Sequence, residues 1–268
     1  MKIVILTEAL YQPPFIGKML MAVAEIPGVY ISVCILHLIP SPSPSHKLLQ
    51  HWKKGRRGYL LILILQTLSR KISQKLKPGR NALFNLQTWL QQHNITLVKT
   101  SELYSETMLK TISNTGADAA ILAGYHHIVK SAFIGLFPKG VLSYHYGDLR
   151  KYRGQPAGFW ELYYGEREFK VTVQKISEAT DKGIPVAEQR FEIGPYTTLR
   201  DLDKLVEHSS HTLMSTALQR LMSPAYSDEI PEQYGKLYTL PRLRQWIWFQ
   251  LKMASRVLRR QLTRVKGL

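Results

Sequence analysis

Short β-branched apolar runs alternate with stretches of helical spacing along most of the chain. Residues 2–6, KIVIL, read as a buried parallel strand. Pro13-Pro14 breaks the loop that follows, and residues 16–26 place Leu20, Val23 and Ala24 at helical spacing. Residues 29–36 give a second strand, so the chain opens strand–helix–strand, as a doubly wound sheet does. The pattern resumes further on with a helix carrying Leu83, Leu86 and Leu90, a strand at 95–98, a helix at 106–114 and an apolar strand at 117–122. A helix over 127–137, a strand starting at Val141 and an aromatic-rich helix over 156–164 come next. Residues 170–176 alternate as a half-buried strand does, residues 184–193 form another strand, and residues 201–222 read as one long helix. The expected class is α/β, with a mostly parallel, doubly wound sheet. No GxGxxG follows the first strand, so a dinucleotide fingerprint is absent.

Two stretches depart from this pattern, and charge sets them apart. Residues 41–80 hold ten Lys or Arg and no acid; residues 236–268 hold nine and no acid. Together they exceed the net charge of the whole chain, +17, so the remainder is slightly acidic. Within the first stretch Leu61, Leu65, Leu68, Ile72 and Leu76 fall on one face of a basic amphipathic helix. In the second, Leu243, Ile247, Leu251, Ala254 and Leu258 form a stripe, with Trp246, Trp248 and Phe249 around its beginning. The expected organisation is an α/β domain over 1–222 carrying a basic insert at 41–80, followed by a basic helical appendage over 223–268. Contact with an anionic membrane surface or carrier lipid suits such helices. Packing of both apolar stripes on the body is weighed equally, and RNA ranks behind these two. Cys34, the single cysteine, rules out a disulfide framework and reads as a buried structural thiol. The N-terminal apolar run is too short for a secretory signal, and no window offers the roughly 18 apolar residues of a spanning helix. The expected location is cytoplasmic, with peripheral attachment to the inner face of the membrane as an option.

Candidate chemistry concentrates in residues 140–154, GVLSYHYGDLRKYRG, where an apolar strand runs out into a polar segment. Strands of open α/β sheets deliver their last side chains to the edge where ligands bind, which singles out His145. A second polar punctuation, Asp181-Lys182-Gly183, follows between two strands. No metal-ligand spacing is evident around His126 and His127, and no metal is expected.

The run Ser143-Tyr144-His145-Tyr146-Gly147-Asp148-Leu149-Arg150-Lys151-Tyr152-Arg153-Gly154 resembles the Asn-x-His-Pro-Ser-Leu-Leu-Pro-Lys-Tyr-Arg-Gly motif of the 10-formyltetrahydrofolate-dependent formyltransferases. That family includes glycinamide ribonucleotide, methionyl-tRNA and amino-sugar N-formyltransferases. The neighbouring GQPAGFWELYYGE, FKVTVQKI with Asp181-Lys182-Gly183, and AGYHHIV resemble further family elements in the right order. The resemblance implies a Rossmann-like formyltransferase fold and 10-formyltetrahydrofolate as co-substrate. It implies catalytic roles for His145 and Asp181, with Ser143 where the family has an oxyanion-binding Asn. It lays the folate along His126, His127, Ile128 and Val129 and against Ile176, Glu178 and Thr180. The residues after Met222 are expected to be helical, unlike the C-terminal barrel domain of the methionyl-tRNA branch.

The chemistry gives these residues work. Formyl transfer to an amine passes through an oxyanionic tetrahedral intermediate, so a proton must move and the oxyanion needs donors. A histidine can carry or pass the proton, and a carboxylate in reach can hold the imidazole protonated. Ser143 offers one hydroxyl on a shorter arm, and losing one oxyanion donor costs about 10²–10³ in rate in a well-studied case. Three readings follow: an active enzyme with altered geometry, another donor or reaction, or a site that binds without turnover; the first is favoured. Asp148 and Arg150, which replace apolar family residues, are expected to make the loop polar enough to touch substrate. The expected acceptor is a primary amine of an amino sugar or small natural product. The alternative is a non-catalytic folate-site protein, or an acyl transferase or hydrolase using another donor, tethered by its basic helices.

Overall fold

The computed structural model describes residues 1–40, 83–177 and 182–266. The basic helix expected within 41–80 therefore lies outside the described residues.

β1 (Lys2–Thr7) enters the core, and β2 (Tyr11–Gln12) precedes α1 (Pro14–Ala24), which starts at the second proline. Proline suits this first helical position because its missing N–H has no intrahelical partner there. β3 (Tyr30–His37) follows, and β4 (Phe84–Asn85) pairs back onto β2. α2 (Leu86–Gln92) is capped by Asn85, whose side chain accepts from the Thr88 N–H. β5 (Thr96–Thr100), α3 (Glu106–Ser113) and β6 (Ala119–Leu122) complete the first half.

Only α4 (Ser131–Ile134) is helical in the stretch where residues 127–137 were expected to be. The Tyr104 hydroxyl donates to the Ile128 carbonyl (3.2 Å) and accepts the Lys130 N–H (3.3 Å). Those backbone groups are thereby satisfied without a helix. β7 (Val141–His145) carries the candidate histidine at its end, and β8 (Tyr152–Gly154) and α5 (Phe159–Tyr164) follow. β9 (Glu168–Lys175) and β10 (Ile184–Glu192) form a hairpin-like antiparallel pair.

The long helix expected over 201–222 is two, α6 (Leu199–Ser209) and α7 (Leu213–Met222). Tyr144 fills the break: its hydroxyl donates to the Ser210 carbonyl (2.8 Å) and accepts the Met214 N–H (3.1 Å). β11 (Lys236–Tyr238) then pairs in parallel with β8, and α8 (Leu243–Lys266) ends the fold.

The main sheet runs β10-β9-β7-β6-β1-β3-β5. β7 through β5 are parallel, whereas β9 runs antiparallel to both of its neighbours, β7 and β10. Alternate β1 side chains feed two cores: Ile3 and Ile5 pack with Phe15, Leu20 and Leu90, while Val4 and Leu6 pack with Phe133 and Phe137. Cys34 is buried in the first core, and burial pushes its thiol up to about 12, as suits a structural thiol. From β1 the chain winds outward to β3 and β5, then returns to place β6 on the other side of β1. The carboxyl ends of β1 and β6 thus flank the switch point of the sheet, where open α/β sheets form their ligand crevice.

Candidate active site

Alternation along β7 sorts its last three residues. Tyr144 points to the helices, where it bonds Ser210 and Met214, so Ser143 and His145 share the opposite side. His145 is buried, and its Nε2 lies 3.1 Å from the Tyr152 carbonyl. A carbonyl only accepts, so Nε2 is the donor and carries a proton. Gly147 makes that contact possible: a Cβ there would lie 2.9 Å from the Tyr152 oxygen and 3.0 Å from His145 Nε2.

The same Cβ position is 3.4 Å from Oε1 of Glu161, a buried carboxyl on α5. Burial pushes that carboxyl up to about 7, and the positive potential of His145 only partly opposes the rise. The aromatic-rich helix expected over 156–164 buries Phe159 and Trp160, and with them Glu161, which the sequence pattern did not single out. One acid within FWELYY was the available signal.

A cavity of about 380 Å³ opens beside the end of β7. It is walled by His126, His127, Ile128, Val129 and Ile176, the described residues expected along the folate. Ser143 and Gln174 also line it. Such a volume lies within the usual range for a small-molecule site. Its mixture of apolar wall and amide, hydroxyl and imidazole groups fits a pteridine, which needs both stacking surface and hydrogen-bond partners. Glu8, at the end of β1, braces the wall through His126 Nδ1 (2.9 Å) and His127 Nε2 (3.2 Å). Nothing in the sequence pattern marked Glu8, because the pairing spans the switch point.

Asp181, Glu178 and Thr180 lie outside the described residues. Their flanks are well anchored. Ser177 donates to the Lys182 carbonyl (3.2 Å), the Gly183 N–H donates to the buried Gln174 Oε1 (3.2 Å), and both Ser177 and Gly183 line the cavity. A Cβ at Gly183 would sit 2.3 Å from the Lys175 carbonyl, which explains why the third position of the Asp-Lys-Gly element is glycine.

Ser143 lines the cavity, with its hydroxyl donating to the Tyr144 carbonyl at 3.3 Å. Asp148 and Arg150 are engaged within the protein. Asp148 is buried and bonds Lys170 at 2.7 Å, and Arg150 bonds Glu188 at 2.7 Å. Burial works against the Asp148 charge, but the Lys170 ammonium and the Arg150 backbone N–H hold the carboxyl below its ordinary range. The loop after His145 is therefore stapled to β9 and β10, and the polarity read as substrate contact has a structural use.

A second cavity, of about 350 Å³, adjoins the first and shares His126 and Tyr146 with it. Phe15, Ile16, Phe169 and Val206 form its apolar walls, and Asp203 and Glu207 of α6 stand at its edge. Burial and the neighbouring Glu207 charge raise Asp203 above the usual carboxylate range.

Residues 64–218, more than half of the chain, match the family described as Formyl transferase. The methionyl-tRNA formyltransferase of Borreliella burgdorferi (strain ZS7) is 29% identical over 119 residues, covering 44% of this chain and 38% of that one. The chain spans less than half the length of the curated relatives it matches. In fold it is similar to phosphoribosylglycinamide formyltransferase from Bacillus halodurans, with a TM-score of 0.55 and 15% identity over 84% of this chain and 97% of that one. It is also similar to a sugar 3N-formyl transferase solved with dTDP and 5-N-formyl-THF, with a TM-score of 0.52 and 15% identity over 89% and 69% of the two chains. The strand-end histidine, the cavity beside it and the matched residues lead to one conclusion: this chain belongs to the formyl transferase family.

Proposed function

We propose that this chain moves a formyl group from 10-formyltetrahydrofolate to the primary amine of a small molecule, an amino sugar or a natural-product amine. One observation carries the reading: His145 and Ser143 stand on one side of the end of β7, and Ser143 lines the cavity walled by residues 126–129. The adjoining cavity supports a small acceptor, since its volume is that of a small-molecule site and its walls are apolar.

The transfer balances as follows. The amine nitrogen bonds to the formyl carbon, and the carbonyl π pair moves to oxygen. The oxyanion collapses, the bond from carbon to the folate nitrogen breaks with its electron pair, and the proton lost by the amine ends on that nitrogen. In this reading His145 Nδ1 would hold or pass the proton while Nε2 stays on the Tyr152 carbonyl. Asp181 would keep the imidazolium charged, and the Ser143 hydroxyl would turn from the Tyr144 carbonyl to the oxyanion.

His145→Ala and Asp181→Asn are each expected to abolish tetrahydrofolate release in the presence of amine, with circular dichroism unchanged. Undiminished turnover in either variant would remove the assigned roles. Ser143→Asn is expected to preserve or raise the rate, because the family donor would be restored; a dead but folded variant would mean a different oxyanion geometry.

A further inference from the structure

α8 is used on two sides. Its inner side seats it on the body: Phe249 is buried against Phe159, with ring centroids 4.2 Å apart, and Met253 is buried beside it. Three basic side chains on that side also find partners. Lys252 donates to the Tyr163 carbonyl (3.0 Å), Arg256 to the Thr197 carbonyl, and Arg260 bonds Asp201 (2.8 Å).

The opposite side has the reverse character. Ile247, Trp248, Leu251, Leu258 and Leu262 are between 47% and 61% exposed. At 100° per residue they fall within roughly a third of the helix circumference, facing away from Phe249 and Met253. The stripe runs about 22 Å along the axis at 1.5 Å per residue. The apolar repeat in the sequence is therefore turned to solvent, and the body is held by other residues. Packing of this stripe on the body, one of the two leading expectations, is overturned for α8.

Exposed apolar stripes of this length mark interaction sites. Charge identifies the partner. Arg242, Arg244 and Arg259 are exposed along or beside the stripe, and no acid occurs from residue 236 onward. A second copy of the chain would bring two tails without an acid, each with nine Lys or Arg, against one another if the stripes paired. A nucleic acid would answer the arginines but leave the leucines and Trp248 in water. An anionic bilayer answers both: aliphatic chains and the indole enter the boundary between headgroups and acyl chains, while the guanidinium groups meet lipid phosphates. Among the described residues no helix is long and apolar enough to cross a membrane, so the geometry is that of a helix lying in the interface plane. We infer that α8 docks this protein, through the stripe from Ile247 to Leu262, onto the surface of an anionic lipid membrane.

The test uses the whole chain and sedimentation with vesicles of phosphatidylcholine containing about one third phosphatidylglycerol, against phosphatidylcholine alone. Wild-type protein is expected to sediment with the anionic vesicles and much less with the neutral ones. The double variant Ile247→Glu/Leu258→Glu replaces exposed side chains only, so its thermal unfolding and formyl transfer are expected to match wild type. Its partition onto anionic vesicles is expected to fall at least about tenfold, the effect of withdrawing aliphatic side chains from the membrane. The inference is overturned if wild type stays in the supernatant, or if the variant sediments equally well. It is also overturned if light scattering finds a wild-type dimer that the variant turns into a monomer, or if the chain retains RNA but no vesicles.

Discussion

At the scale of single residues, burial acts most strongly on Glu161. Its carboxyl is pushed up to about 7 from the ordinary glutamate range, so the folded chain binds this proton more tightly than the unfolded one. The sign of the linkage follows. The buried group costs nothing below about pH 4.5, where both states are protonated, and its cost grows as the pH rises toward 7. Above that the ionised carboxylate costs about 3 kcal/mol, at 1.36 kcal/mol per pKa unit. Glu161→Gln keeps the shape and discards the charge, so denaturant titrations should find the variant more stable by about that amount above pH 8, with the gap closing below pH 5. A gap independent of pH would mean that the carboxyl titrates normally. Glu161 also shows where residue-level reading stops. His145 was legible because a motif surrounds it and a strand end delivers it, whereas Glu161 meets His145 only after α5 folds back over Gly147. Asp148 was visible as a departure but misassigned, because its partner Lys170 sits on β9, beyond the reach of local pattern.

At the scale of elements, hydrophobic period located the seven strands of the main sheet and most helices, but not the short strands β2, β4, β8 and β11 or the interruptions. The apolar repeat of α6 continues into α7 without a phase break strong enough to notice, so one helix was expected. The interruption is imposed from outside by Tyr144, whose hydroxyl takes up the Ser210 carbonyl and the Met214 N–H. Tyr144→Phe removes the acceptor of the Met214 N–H in a mostly dry site, while the Ser210 carbonyl keeps the Leu213 N–H (3.1 Å). A loss of about 1–3 kcal/mol in unfolding free energy is expected, read from urea titration. Stability equal to wild type would show that water or the end of α6 satisfies the Met214 N–H unaided. The folate-side wall repeats the lesson. Tyr104 holds residues 128–130 out of a helix, so the cavity wall presents an irregular segment where periodicity promised a helical face. Sequence period reports which side of an element is apolar; the tyrosine hydroxyl that ends an element comes from elsewhere in the chain.

At the scale of the whole molecule, the division between the α/β body and the basic tail can be argued from what crosses it. Charge separates residues 236–268 cleanly, yet the contacts do not. β11 pairs with β8, the closing strand of the motif that begins at Ser143, and the Gly154 conformation (φ +90°) leaves room for the Tyr238 carbonyl, which a Cβ would meet at 2.1 Å. Trp160 donates to the Thr239 carbonyl (3.2 Å) and packs on Tyr238, with ring centroids 5.1 Å apart. Phe249 and Met253 complete the larger core from α8. Burying one such side chain is worth about 1.5–3 kcal/mol, against a typical domain stability of about 5–15 kcal/mol. A chain ended at Met222 would therefore bare Phe159 and Trp160 and give up a large part of its stability. Such a chain is expected to aggregate or to lose its cooperative thermal transition, and Phe249→Ala in the full chain to lower stability by about 3–5 kcal/mol. If residues 1–222 instead melted cooperatively at the temperature of the full chain, the tail would be a separable attachment. The docked tail matters to function in either role proposed for it. The strand beside Gly154 braces the loop that carries the Tyr152 carbonyl, and hence His145, while the helix beyond it presents its apolar stripe to a membrane. Vesicle binding and catalytic geometry would then share one support, and Phe249→Ala should weaken both where Ile247→Glu/Leu258→Glu weakens only the first.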